Sequence, residues 1–455
     1  MALGKRKREE QESWVATSDL PTSPGHPFYQ KLNGLLAEAG FDDYVEKLSE
    51  PYYAKEVGRP GIPPGVYFRM LLVGYFEGLS SQRAIAWRCS DSRSLQSFLG
   101  IPLTESMPDH SSLTVIRKRL PLAIHEEVFT KVLAIAQEKK LLRGKTVAVD
   151  STLIEAEAAM KTIVRRDNGD DWKEYLKKLA REAGIENPTE EDLRKFDRNR
   201  PNKKVSNEEW VSSTDGDSRI AKMKDGTTHL AYKTEHAVDL QSDLVVAAPV
   251  YRADESDTAT LSQTVTMAQA HMMLAGSKVE VREAVADKGY HSTDNVAWCE
   301  SMGIRTYIPE RDSPHGRRWT DKSADEKAAV YGNRRRVRGK RGKALGRLRS
   351  EYTERSFAHA CETGGARRSR LRGLVNVAKR YLMYIAGRNL GVIMRALFGV
   401  GTPRSLQPSG AGLPCAVFEC WTMVRRYVQC LWHESVACLT DQRRGATYAP
   451  RPWAA

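Results

Sequence analysis

Two short apolar runs, far apart in the chain, each close on an aspartate: Lys145-Thr-Val-Ala-Val-Asp150 and Glu283-Ala-Val-Ala-Asp287. Runs this short, rich in valine and bounded by polar residues, are expected to form buried strands. A sheet fixes the backbone at such positions, so two carboxylates held there can serve one site. A third acid, Glu354, lies in Tyr352-Thr-Glu-Arg-Ser-Phe357, inside a helical pattern and just after a densely basic stretch. Taken singly, a strand-end aspartate is usually a solvent-facing turn former and a helical glutamate a surface residue. Their shared basic surroundings point instead to divalent-metal chemistry on nucleic acid.

The rest of the chain agrees. With 455 residues and 41% hydrophobic side chains, it is long enough for two or three domains with a full core. A net charge of +14 favours a polyanionic partner. No run approaches the ~20 apolar residues of a membrane helix, and the basic-then-acidic start, Met1–Glu10, has no apolar centre for a signal peptide. The seven cysteines form no C-x-x-C pair, which argues against a zinc ribbon and suits a reducing, cytoplasmic setting at the nucleoid.

Residues 1–25 read as a polar tail carrying Lys5-Arg-Lys-Arg8. Residues 26–140 read as several short helices, with serine and aspartate caps at Leu79-Ser-Ser-Gln and Pro108-Asp-His-Ser. Such a block suits either a helix-turn-helix DNA reader or a dimerisation bundle. Residues 141–150 form the first strand. A charged insertion from about 155 to 225 follows, with helices expected near Trp172–Ala180 and from Thr189. Thr228–Asp239 and Leu244–Tyr251 read as strands joined by a turn at Gln241-Ser-Asp. A helix from Asp257, a strand at Glu283–Asp287, a helix at Asn295–Met302 and a strand at Arg305–Pro309 complete an α/β arrangement around a mixed sheet. Residues 404–455 form a C-terminal extension, in which Val417–Val424 and Tyr427–Trp432 suggest a helix.

Together these segments resemble the bacterial insertion-sequence transposases of the DDE, RNase H-like kind, in the group typified by insertion sequence five. The resemblance covers roughly residues 40–403. It rests on Gly58-Arg-Pro-Gly-Ile-Pro-Pro through Leu120, Val147–Thr152, Lys224–Lys233, Ala286-Asp-Lys-Gly-Tyr290 and Glu354-Arg-Ser-Phe-Ala-His359. It implies a helical N-terminal DNA-binding or dimerisation domain over 26–140, then an RNase H-like catalytic domain over 141–403. It also implies a catalytic, metal-binding triad of Asp150, Asp287 and Glu354, with Glu351 and Glu362 as nearby rivals for the third position. Two Mg²⁺ ions, for which Mn²⁺ can substitute, would be held there. The partners would be terminal inverted repeats and target DNA, with at least a homodimer at the moment of joining. One departure stands out: where several relatives carry a basic residue two helical turns past the glutamate, this chain has Cys361.

The basic surface supplies the DNA contacts in this reading. Nine Lys or Arg and no acid lie between Tyr331 and Arg349, interspersed with glycines, which suggests a flexible strip following a phosphate backbone. The candidates are Arg334, Arg335, Arg336, Arg338, Lys340, Arg341 and Lys343, then Arg355, Arg367, Arg368, Arg370 and Arg372. Lys233 and Lys288 are added for their places near the aspartates. His236 reads equally as a DNA contact or as a packed core histidine. The expected reaction is cleavage at the element ends followed by transfer of the 3′ ends. The alternatives are an RNase H-like nuclease that cuts without joining, and a DNA-binding regulator whose catalytic site is idle.

Overall fold

A computed structural model describes residues 25–54, 61–200, 205–311, 319–320 and 322–406. The N-terminal tail with Lys5–Arg8 and the helix expected within 417–432 lie outside these residues.

The N-terminal block is helical, as its caps predict: α1 (Pro27–Glu38), α2 (Phe41–Ser49), α3 (Pro64–Phe76), α4 (Gln82–Ser90), α5 (Arg93–Phe98), α6 (His110–Arg119) and α7 (Leu122–Glu138). Ser81 accepts from the Ala84 N–H at the start of α4, and Asp109 from the Ser111 N–H at the start of α6. Helix α3 is apolar on every side and buried from Tyr67 to Phe76. Its one charge, Arg69, is matched by Asp42 at 2.6 and 2.8 Å and by the Phe98 carbonyl at 2.9 Å. A buried charge persists only when paired and hydrogen-bonded in this way.

The sheet follows. β1 (Thr146–Glu155) leads into the insertion: β2 (Ile163–Arg165), α8 (Trp172–Glu182), α9 (Glu190–Asn199), β3 (Trp210–Ser212) and β4 (Arg219–Lys222). Next come β5 (Thr228–Asp239), β6 (Val245–Ala247), β7 (Val250–Arg252), α10 (Asp257–Leu274), β8 (Glu283–Ala286), α11 (Thr293–Ser301) and β9 (Arg305–Tyr307). The order across the main sheet is β4-β5-β1-β8-β9, with β6 and β7 also on β5. β5 is antiparallel to β1, whereas β1, β8 and β9 run parallel. In the insertion, α8 and α9 share a small core of Leu176, Ala180 and Leu193, and β2 pairs with β3 in a separate ladder.

Three expectations need correcting. The first strand does not end at Asp150 but runs on to Glu155, because β5 is twelve residues long and pairs with β1 as far as Glu155↔Ala231. The apolar run Leu244–Tyr251 is two strands rather than one, since Pro249 cannot donate to a ladder. The basic stretch 331–349 is not a flexible strip. It folds as α12 (Ala324–Arg338) and α13 (Lys340–Ala358), which meet at Gly339. Gly342 is needed at that junction: a Cβ there would overlap the Arg336 carbonyl oxygen and lie 2.8 Å from that of Val337.

Helix α13 packs on the sheet through Leu345, with Leu348 and Tyr352, against Ala148, Val285 and Tyr307. A turn of π-helix (His359–Thr363) then leads toward α14 (Leu374–Phe398), which is buried along most of its length. α14 packs against α3, α7 and β7, so it joins the N-terminal helices to the sheet. Each fully buried aliphatic side chain here, such as Ile385 or Leu390, is worth roughly 1.5–3 kcal/mol. The chain divides at Pro403–Arg404, and the unit before that point holds both the N-terminal helices and the sheet.

Candidate active site

Parallel pairing brings the two aspartates together. The β1–β8 register runs from Thr146↔Glu283 to Val149↔Ala286, so the next residues along, Asp150 and Asp287, end up side by side. At the usual strand spacing their backbones lie about 4.8 Å apart. The two carboxyls repel: burial pushes Asp150 above its ordinary carboxylate range, and Asp287 pushes the same way. Arg349, the Ser151 N–H and the Thr353 hydroxyl pull against that shift.

These partners come from α13. Arg349 Nη1 donates to Asp150 Oδ2 at 2.8 Å, and Thr353 Oγ1 donates to the same oxygen at 3.0 Å. Arg349 and Thr353 are four residues apart, so both lie on the helix face turned to β1. Glu354 is next along the chain and is exposed, as is Asp287. Among the described residues no three His, Cys, Asp or Glu side chains are gathered closely enough to hold a metal ion. The structure sets Asp150 and Asp287 at neighbouring strand positions and puts Glu354 exposed on α13, the helix that contacts Asp150 through Thr353. The donor set still fits a hard divalent cation: it is carboxylate oxygen only, and its two acids repel in a partly buried place.

Beneath the site, on the next β1 residue, lies a second polar cluster. Ser151 Oγ donates to Asp257 Oδ1 at 3.1 Å, and Lys233 Nζ lies 2.9 Å from that oxygen. Lys233 also reaches Glu235 Oε1 at 3.1 Å and Thr260 Oγ1 at 3.0 Å, and Tyr290 donates to Glu235 at 3.1 Å. This explains the glycine of Asp287-Lys-Gly-Tyr290: a Cβ on Gly289 would lie 2.7 Å from Asp257 Oδ2.

The expected DNA contacts divide sharply. Lys233 and His236 are buried, and the structure corrects their assignment to DNA. Lys233 is spent on Glu235 and Asp257. His236 bonds Ser356 Oγ at 2.8 Å through Nδ1 and Tyr381 Oη at 2.7 Å through Nε2, and stacks on Phe357 at 4.0 Å. Its core alternative is the one the structure supports. Arg334 forms a fork on Glu310 at 2.8 and 2.9 Å, Arg336 holds the Thr306 carbonyl at 3.0 Å, and Arg341 grips buried Glu283. Arg355 pairs with Glu351 at 2.8 Å, and Arg367 with Glu362. Arg368 and Arg370 face Glu157, and Arg372 donates to the Glu157 carbonyl at 3.3 Å. Arg335, Arg338, Lys340 and Lys343, by contrast, are exposed with no carboxylate partner among the described residues, as are Lys288 and Arg347.

Sequence reasoning passed over Arg349, Thr353, Glu235 and Asp257 as site residues. The spacing of Arg349 and Thr353 on one helical face is a usable signal. The inward set of Glu235 and Asp257 emerges only once β5 and α10 are packed.

Two families match the chain: "Transposase domain (DUF772)" over residues 18–119 and "Transposase DDE domain" over residues 144–390. Neither the curated proteins nor the solved structures gave a match. Among the described residues no helix is long and apolar enough to cross a membrane. The second family covers more than half of the chain, including β1, β8 and α13, and normally uses divalent metal ions; its mixed sheet is an RNase H-like core. The chain belongs to the DDE transposase family.

Proposed function

We propose that this DNA transposase cuts at the terminal inverted repeats of its element and transfers the 3′ ends into target DNA, with Asp150, Asp287 and Glu354 as its catalytic carboxylates. The observation that carries the proposal is the parallel β1–β8 ladder that ends at Val149↔Ala286, which sets Asp150 and Asp287 next to each other one residue further on, under the helix that bears Glu354. A pair of Mg²⁺ ions, or Mn²⁺ in their place, supplies when bound the activation of water and the stabilisation of the leaving oxygen. Asp150 stands within the interior strand β1 and Asp287 directly after β8, so the sheet fixes both backbones. Glu354 joins them once α13 or its side chain adjusts, since α13 already touches Asp150 through Thr353.

Lys343 and Arg347 precede Glu354 on the same side of α13, by eleven and seven residues, and would hold the DNA backbone beside the reacting phosphodiester. Lys288 does the same beside Asp287. The chain's contribution is position and charge rather than a covalent intermediate. We place the chain in the group typified by insertion sequence five on its Asp287-Lys-Gly-Tyr and Glu354-Arg-Ser-Phe segments. Two element ends require at least a dimer at joining.

The test is a joining assay with labelled element ends, a target plasmid and Mg²⁺ or Mn²⁺. Wild type should give joined product, and Asp150→Ala, Asp287→Ala and Glu354→Ala should each abolish it while still binding DNA. Joining by any of the three variants would remove that residue from the triad. Cleavage without joining by wild type would identify a nuclease instead.

A further inference from the structure

Away from the carboxylates, three cations crowd together without an acid. Arg380 is 8% exposed and Lys379 is 6% exposed, side by side on α14. Lys379 Nζ donates to the Arg117 carbonyl at 3.0 Å, which brings α6 to the same place. Arg380 spends one nitrogen, Nη2, on the Leu79 carbonyl at 3.0 Å and lies over the Tyr384 ring at 4.9 Å. Among the described residues, its solvent-shielded Nε and Nη1 have no acceptor, and neither do Nε and Nη1 of Arg117. None of the three has a carboxylate partner among the described residues. Buried guanidinium donors left empty cost free energy that a protein ordinarily avoids. An anion that fills them recovers it.

Arg380 lines a cleft of 110 Å³ with Ser80, Ser81, Gln82, Arg368 and Arg370. The cavity has room for several waters and is walled by hydroxyl, amide and guanidinium groups on one part and by Ala366, Leu371 and Val377 on another. Arg368 and Arg370 are exposed at its mouth, where they face Glu155 and Glu157, so the inner guanidinium of Arg380 is the cation without a carboxylate among the described residues that line the cleft. Ile154 of β1 forms part of the wall. Ile154 lies four residues beyond Asp150 on the same side of the strand, a distance of about 13 Å. Measured along a duplex axis, that distance corresponds to roughly four base steps.

We propose that this cleft, between the start of α4 and α14, is a phosphate site that takes one backbone phosphate of the DNA strand running past Asp150, with Arg380 as its inner ligand. The proposal rests on the transposase reading above. It assigns the N-terminal helices a share in gripping DNA together with the catalytic core. The site reads charge and shape, not sequence.

The test uses full-length protein and two end-labelled duplexes, one with an element end and one scrambled, with binding measured over a range of KCl concentrations. Arg380→Gln should reduce the slope of log affinity against log salt by about 0.9 for both duplexes, the loss of one phosphate contact. Arg380→Lys should keep most of that slope. Without DNA, Arg380→Gln should melt no lower than wild type, because it removes an unpaired buried charge. Arg117→Gln gives a second variant of the same cluster with the same expected direction. A wild-type slope in both glutamine variants overturns the site. So does a lowered melting temperature shared by Arg380→Gln and Arg380→Lys, which would mark the arginine as structural. If inorganic phosphate raises the wild-type melting temperature while the duplex slopes of the variants stay unchanged, the cleft holds a free anion and the DNA assignment falls. If wild type binds neither duplex, the transposase reading itself fails and takes this inference with it.

Discussion

Arg349 and Asp150 form an ion pair at 2.8 Å, five positions before Glu354 on the same helix. The guanidinium thus stands on the carboxylate oxygen that the proposed chemistry needs for cations. Arg349 offsets the cost of burying that carboxylate but does not cancel it, since the Asp150 carboxyl still lies above its ordinary range.

That residual cost predicts a stabilising substitution. An aspartate in the unfolded chain titrates near ~3.9, and Asp150 in the folded chain titrates higher. Between those values the folded protein binds more protons, so stability falls as pH rises through the window and the deficit persists at neutral pH. Asp150→Asn removes it. The variant should melt above wild type at pH 7, and the gap should close as pH falls below the folded value. A variant that melts below wild type at pH 7 would show that the Arg349 pair outweighs burial.

Buried histidines predict the opposite slope on the acid side. Burial pushes His125 down to about 3, lowers His271, and holds His236 well below its ordinary value. In the unfolded chain these rings take protons below pH 6.5, which the folded chain resists. Stability should therefore fall as pH drops below 6.5, by up to ~1.4 kcal/mol per pH unit for each such histidine. Denaturant unfolding at pH 7, 6 and 5 measures this. His236→Phe should flatten the slope. At pH 7 it should cost about 1–3 kcal/mol, because Ser356 and Tyr381 lose their buried partner. A slope unaffected by that change would locate the proton uptake elsewhere.

Glu283 predicts where the first aspartate's neighbourhood is fragile. It is fully buried at the base of β8, where it accepts from Thr146 at 2.7 Å, Tyr307 at 3.2 Å and Arg341 at 2.5 Å. Burial pushes its carboxyl up, but Arg341, Thr146 and Tyr307 outweigh that and hold it below its ordinary range. Its stabilisation is present above the unfolded carboxylate value and is lost as pH falls through the folded one. Glu283→Gln should cost about 2 kcal/mol or more by leaving these donors poorly matched. It should also loosen the register that sets Asp287 beside Asp150. A joining rate and melting temperature both equal to wild type would remove Glu283 from this role.

Much of this was legible in the chain. The strands at 145–150 and 283–287 follow from short valine-rich runs, and the caps at Ser81, Asp109 and Thr189 fix helix starts in ways that local chemistry dictates. The basic stretch was misread because glycine and arginine alone do not distinguish a strip from a helix. Ser323 and Glu326 form a capping box that starts α12, a local signal the sequence carries, whereas the burial of Val330 and Asn333 on one face depends on the partner surface. For the same reason the sequence puts Lys233 on DNA and leaves His236 open between DNA and the core. A residue one strand from an aspartate faces the DNA or the core according to the sheet's pleat and the helices packed on it. In this chain α13 and α14 cover His236, and the start of α10 covers Lys233.

The division of the basic residues into free and committed sets gives a prediction that counting charge cannot. Lys343→Gln and Arg338→Gln remove exposed, unpaired cations. Each should reduce the salt slope of duplex binding by about 0.9, equally for element-end and scrambled DNA, with little change in melting temperature. Arg334→Gln and Arg336→Gln remove cations already bound to Glu310 and Thr306, and Arg336 ties α12 to β9. These variants should lower the melting temperature, by about 1 kcal/mol in stability, while leaving the salt slope nearly intact. Measuring both quantities for all four variants checks it. Equal slopes lost in both sets would mean that DNA displaces the glutamate from Arg334 and recruits it, so that the pairing seen in the free protein serves only to hold the guanidinium until DNA arrives.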